Sequence, residues 1–211
     1  SKDIKEVVLT GINVTDYKID GKPALLTLLT ELDTFNKRLR LSSMEESLIS
    51  EDFAKGLASL NNFCPHFHLS LQSGSTQVLK RMNRHYTAEQ FKKSVETIRK
   101  YFSHAGITTD VIVGFPGESE EEFQETVDFI KEVGFSALHI FIYSSREGTV
   151  ASKLYKDLPY EVKKRRSEVL IKLNQTLKEN FIKKNKFGHV LVEEEEDDYF
   201  IGYTENYIRC Y

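Results

Sequence analysis

Short apolar runs rich in Val, Ile, Leu and Phe recur along this chain, separated by longer stretches whose apolar residues lie three and four apart. The runs are EVVLTGINV, RLRLSS, HFHLSLQSGS, TTDVIVGF and ALHIFIYSS. Strands alternating with amphipathic helices predict parallel strands joined by helical crossovers, because parallel neighbours need a long connection. The expected fold class is α/β, with strands beginning near Glu6, Arg38, His66, Thr108 and Ala137 and curved into an incomplete barrel. Two helix starts are readable as capping boxes, Thr87 with Gln90 and Ser119 with Glu122. Behind them, Phe91, Val95, Ile98 and Phe102, and then Phe123, Val127, Ile130 and Val133, mark one apolar face on each helix.

From Pro159 the pattern changes. Val162, Val169, Leu173, Leu177 and Phe181 mark a helix too long and too basic for another simple crossover. Beyond Gly188 the alternation in HVLVEEEEDDYFIGYTENYIRCY predicts two antiparallel strands joined by an acidic turn. The organisation read from the sequence is residues 1–158 as a partial barrel, 159–187 as a long basic helix and 188–211 as the opening of a β-domain.

Successive strand residues face opposite sides, so Phe67, Leu69 and Leu71 share one face and His68, Ser70 and Gln72 the other. A strand with one polar face needs a polar interior, and Asp110 makes the same demand of the next strand. Parallel barrels place their chemistry at the carboxyl ends of strands, where TGIN, SSMEE, QSGS, GFPGE and YSSREGT all fall; they point to one shared site. Gly114, Pro116 and Gly117 serve either a tight turn or the close approach of backbone amides to a flat ligand, and Asp110 either caps backbone or serves the site. His66 and His68 have no third ligand at a telling spacing, so no metal site is expected.

Composition narrows the classes. The 211 residues are 40% hydrophobic and 29% charged with a net charge of −3, and no apolar run is long enough to span a bilayer. The first residues lack a secretory pattern, so no membrane partner and a cytoplasmic location are expected. Cys64 and Cys210 match no disulfide framework or paired metal spacing and read as free thiols. Local charge is uneven: KKRR at Lys163 to Arg166, KKNK at Lys183 to Lys186 and EEEEDD at Glu193 to Asp198 are either solvated faces or, for the basic runs, contacts to phosphates.

DVIVGFPGESEEEF, HLSLQSGSTQVLKRMNRHYT, LTGINV and HIFIYSSREGTVA together resemble the radical S-adenosylmethionine (SAM) methylthiotransferases, over nearly the whole chain and in the right order. The resemblance implies a partial (β/α) barrel of the radical SAM type, followed by a long helix and the first hairpin of a TRAM-like, RNA-binding β-domain. It also implies SAM and two [4Fe-4S] clusters in the full-length protein, with tRNA as partner and no protein partner inferable. Such an enzyme cleaves SAM to a 5′-deoxyadenosyl radical that abstracts hydrogen from an unreactive C–H, after which sulfur and a methyl group are installed. The family holds its radical-generating cluster by a CxxxCxxC motif that these residues do not contain; the resemblance therefore implies a fragment, inactive alone and with no cluster of its own.

In the same scheme Ile112 packs on the adenine of SAM while Gly114, Gly117 and Glu118 shape the turn, and Asp110 stands where a glycine is common. Gln72 and Ser73 lie near the ribose with Arg84 on the next helix; Thr10, Gly11 and Asn13 lie near the methionine end, close to Ser42, Ser43 and Glu45; backbone at Tyr143 and Ser144 meets the adenine edge. The loop SSMEE carries Glu46 where the family usually has proline. FSALHIFIYSSREGT, with His139, is most similar to the branch acting on threonylcarbamoyladenosine beside the tRNA anticodon; the isopentenyladenosine branch is the alternative, and QSGS argues against the branch that modifies a ribosomal protein. The rival from another class is a non-catalytic RNA-binding platform using the basic runs.

Overall fold

The structure, a computed structural model, describes residues 4–11, 13–154 and 156–211. In chain order the strands and helices are β1 (Glu6–Leu9), β2 (Lys18–Ile19), β3 (Lys22–Pro23), α1 (Leu25–Asp33), β4 (Arg38–Leu41), β5 (Ser43–Met44), α2 (Glu51–Ala58) and β6 (His66–Gln72). They continue with α3 (Thr76–Arg81), α4 (Ala88–Tyr101), β7 (Gly106–Val113), α5 (Glu120–Val133), β8 (Ala137–Ile142), α6 (Val150–Leu154), α7 (Tyr160–Lys184), β9 (Val190–Glu196), β10 (Tyr199–Thr204) and β11 (Arg209–Cys210).

The expected parallel α/β order is present. β1 pairs parallel with β4, β5 with β6, and β7 with β8, and the larger sheet runs β5-β6-β7-β8. β4 and β5 are separated by Ser42 alone, whose N–H donates to the Leu9 carbonyl at 3.0 Å. β7 starts at Gly106, two residues ahead of the expected Thr108, because the Gly106 N–H bonds the Pro65 carbonyl at 2.9 Å. β1 pairs only with β4 among the described residues.

The chain packs as two compact units, and β6, α4, β7 and α7 have residues in both. The first comprises residues 1–69, 94–107 and 182–211. Its core contains Leu39, Leu41, Leu57 and Leu69, with Phe63, Phe67 and Phe102 at ring-centroid separations of 5.3–5.9 Å. Here too β9 and β10 form the expected antiparallel hairpin, with β11 as a third strand. Glu193–Glu196 lie within β9 instead of the turn, which is Asp197 and Asp198, because pairing continues to Glu196 opposite Tyr199.

Arg40, buried, is held by Glu6 at 2.8 and 3.1 Å, donates to the Glu205 carbonyl at 3.0 Å and lies 4.8 Å from the Tyr207 ring centroid. Tyr207 stacks between His66 and Tyr203 at 4.5 and 4.6 Å. Planar guanidinium and aromatic faces are suited to such stacking. They hold the β10–β11 connection, a role that the sequence pattern of RLRL did not disclose.

The second unit comprises residues 70–93 and 108–181. Leu71, Val111, Val113, Ile130, Val133 and Leu138 are buried, and Phe91 meets Phe135 and Phe129 at 6.1 and 6.4 Å. Both capping boxes form: Thr87 and Gln90 exchange bonds of 2.8 and 3.1 Å, and Ser119 and Glu122 bonds of 2.9 and 3.2 Å.

The apolar stripe expected on α7 needs correction. Lys163, Arg166, Ser167, Leu170 and Leu177 are its buried residues, while Val169 is exposed. The inward face is polar at its start because the sheet end beneath it supplies a carboxylate and a carbonyl.

Candidate nucleoside-binding site

The stretch DVIVGFPGE turns sharply where β7 ends. Gly114 has φ +72°, which glycine adopts without the strain a Cβ would bring, and Gly117 has φ +78°. The Glu118 side chain closes the turn by accepting the Gly114 N–H at 2.8 Å. The same carboxylate oxygen accepts from the Arg166 guanidinium at 2.6 Å, and both side chains are buried. Burial raises the Glu118 carboxyl above its ordinary value of 4.5, against the pull of the Gly114 N–H and the Arg166 charge. Arg166 also donates to the carbonyls of Glu118 and Ser119 at 3.2 and 3.1 Å, so the turn is held at several points.

One face of β7 carries Thr108, Asp110 and Ile112, registered against Ala137, His139 and Phe141 of β8. Asp110 and Ile112 are half-buried and Phe141 is exposed, whereas Val111 and Val113 are buried on the opposite face. Ile112 thus offers an apolar surface on the more open side, where the resemblance puts an adenine. Beyond β8 the Tyr143 N–H continues the ladder to the Val113 carbonyl at 3.0 Å, and its ring meets Phe115 edge-on at 5.3 Å. Ser144 is exposed next to it.

At the end of β6, Gln72 is buried with φ +69°, a left-handed conformation that a non-glycine residue keeps only under constraint. The constraint is visible: Tyr86 donates to the Ser70 and Leu71 carbonyls at 2.7 and 2.9 Å, and Thr126 bonds the Ser73 hydroxyl and the Gly74 N–H, both at 3.1 Å. Ser73 is fully buried and also accepts from the Ser75 N–H, so its hydroxyl builds the strand end. Arg84, expected on the helix after β6, instead follows that helix in the turn to α4; it is exposed, and its N–H returns to the Leu79 carbonyl.

The remaining site residues lie in the first unit. Thr10 and Gly11 are exposed after β1, Ser42 is the break between β4 and β5, Ser43 opens β5, and Glu45 is exposed. Asn13 caps the turn Val14–Asp16 by accepting the Thr15 N–H at 3.0 Å. Cys64 is buried near Glu6, and burial pushes its thiol up to about 11. Both cysteines are free. A [4Fe-4S] cluster of the kind the resemblance implies needs three thiolates, and these two cysteines do not fit one. No helix among the described residues is long and apolar enough to cross a membrane.

Sequence reasoning missed Lys163 and Arg166 as parts of this strand end. The sequence places KKRR facing solvent or phosphate, yet two of its four cations turn inward, where Lys163 bonds the Tyr143 carbonyl and Asp157. Their spacing of three on a helix was the available signal.

Parallel strands backed by helices, with polar and glycine positions gathered at strand ends, define a parallel α/β fold of known type. It is shared with coproporphyrinogen III oxidase HemN from Escherichia coli, described as a radical SAM enzyme, at TM-score 0.58 and 18% identity over 74% of this chain and 39% of that one. Elp3 of Methanocaldococcus infernus matches at TM-score 0.55 and 14% identity over 90% and 62%. Residues 1–130 match the Radical SAM superfamily, and the chain belongs to that family. It is 44% identical to the threonylcarbamoyladenosine tRNA methylthiotransferase MtaB of Aquifex aeolicus, over 98% of this chain and 50% of the relative. It is 39% identical to the tRNA-2-methylthio-N(6)-dimethylallyladenosine synthase of Caldicellulosiruptor saccharolyticus, over 87% and 39%. The chain spans about half the length of the curated relatives it matches.

Proposed function

We propose that this chain serves the methylthiolation of a modified adenosine next to the tRNA anticodon, with threonylcarbamoyladenosine the favoured substrate. The similarity to MtaB proteins at 44% and 42% identity over nearly the whole chain supports that substrate. The observation that carries the site is the turn Gly114–Glu118, locked by a buried ion pair beside the apolar face of Ile112 and the Tyr143 backbone. SAM held there would present its 5′-deoxyadenosyl group for cleavage by an electron from the family's reduced cluster, giving the radical that abstracts hydrogen. The chain's own part is to seat the nucleoside: Ile112 under the base, Tyr143 and Ser144 backbone at its edge, and Gln72 toward the ribose. The iron–sulfur clusters belong, in this reading, to residues outside these 211, which contain only two cysteines. The RNA-platform reading is weaker because Lys163 and Arg166 are buried in ion pairs.

Two measurements test the proposal. Deleting the gene and analysing tRNA nucleosides by mass spectrometry should remove the 2-methylthio mass from threonylcarbamoyladenosine; its loss from isopentenyladenosine alone would reassign the substrate. Titrating the chain with S-adenosylhomocysteine should move the amide resonances of Ile112, Gly114 and Tyr143. Ile112→Asp should abolish that response, since a carboxylate would replace the apolar surface under the base.

A further inference from the structure

Lys163 enters the sheet end from α7, more than forty residues after the turn it touches, and the nucleoside reading above gives it no role. Its side chain is 7% exposed. The stem lies against Gly114 so closely that a Cβ there would stand 2.5 Å from Lys163 Cγ. The ammonium donates to the Tyr143 carbonyl at 3.3 Å and to Asp157 at 2.8 Å, and lies 5.4 Å from the Tyr143 ring centroid. One side chain therefore touches both the turn glycine and the Tyr143 backbone assigned to the base edge.

We propose that Lys163 is a positioning residue for base selection, orienting the Tyr143 carbonyl toward the exocyclic amine of an adenine. The inference rests on the reading that a SAM nucleoside docks at this strand end. A carbonyl oxygen has two lone pairs. Lys163 engages one, and Asp157 fixes the ammonium that does so, leaving the oxygen held in one direction. Adenine presents an amine donor at its exocyclic position, where hypoxanthine presents an oxygen. A fixed acceptor accepts from the first and repels the second, whereas an acceptor free to swing distinguishes them less, because selectivity depends on the unpaired group being unable to relax. The apolar support of Ile112 is indifferent to this exchange, so base selection is separable from base stacking.

The test compares dissociation constants for S-adenosylhomocysteine and S-inosylhomocysteine, by calorimetry on the 211-residue chain. The unaltered chain should prefer the adenine ligand by about tenfold or more, the worth of one hydrogen bond. Lys163→Met keeps the stem against Gly114 and removes the donor, and should shrink the preference several-fold. Asp157→Asn, at a side chain 44% exposed, should shrink it in the same direction and decides the matter if Lys163→Met does not fold. Equal weakening of both ligands, or an unchanged ratio in a folded variant, overturns the inference while leaving the pocket in place. A wild-type chain that binds both ligands alike overturns it too. Failure of the unaltered chain to bind either ligand overturns the pocket reading itself, and the inference with it.

Discussion

Glu118 and Arg166 meet at 2.6 Å through the same carboxylate oxygen that accepts the Gly114 N–H, with 1% and 3% of their side chains exposed. A helix that begins after the sheet is complete thus supplies the charge that lets a carboxylate be buried inside the turn.

Arg166→Met should cost about 3–5 kcal/mol at neutral pH, because removing one partner of a buried pair leaves the other charge uncompensated. The loss should depend on pH. Without the guanidinium, burial raises the Glu118 carboxyl further, and a group with a raised folded value contributes stability below its unfolded value that is lost as pH rises through the folded one. Urea unfolding should show a larger deficit at pH 8 than at pH 5; a deficit independent of pH would place the loss in packing instead.

Gly114→Ala should destabilise by about 1–3 kcal/mol, since the residue has φ +72° and an added Cβ would press on the Lys163 stem. Gly148→Ala has a similar φ of +85° with nothing near the new methyl, so its smaller cost isolates the backbone part. Thermal melts of the two variants measure the difference.

Asp33 ties the end of α1 to the segment before β6 by accepting the N–H groups of Asn61 and Asn62 at 3.0 and 2.8 Å. Burial raises its carboxyl, but these donors and the Asn side chains outweigh it and hold the value below the ordinary 3.8. A lowered folded value means stability present above pH 3.8 and lost as pH falls through the folded value. Asp33→Asn should therefore cost about 1–2 kcal/mol at pH 7 and progressively less in acid. An equal cost at pH 7 and pH 3 would sink the explanation.

Cys64 should resist alkylation at pH 8 while Cys210, half-exposed, reacts first. The reactive species is the thiolate, and burial holds the Cys64 thiol up at about 11. Mass spectrometry of iodoacetamide-treated native chain should find the label on Cys210, with Cys64 labelled only after denaturation.

The candidate site was legible to different depths. GFPGE announces a turn because glycine and proline restrict or free the backbone locally, and Glu118 does bond Gly114 within it. The polar face of β6 was readable from its period of two, but the fixed role of the Ser73 hydroxyl was not. Its partner Thr126 lies on α5, where nothing in the local pattern marks it.

What the sequence determined by itself were the features set by neighbours along the chain: the order of strands and helices, both capping boxes and the alternation within β6 and β7. Tertiary structure alone decided which face of α7 is buried. Hydrophobic periodicity nominated Val169, yet Lys163 and Arg166 are inside, because Tyr143, Asp157 and Glu118 offer them partners. A cation's burial is decided by whether its charge and donors are satisfied, and although Asp157 is only six residues from Lys163, Tyr143 and Glu118 come from segments distant in sequence.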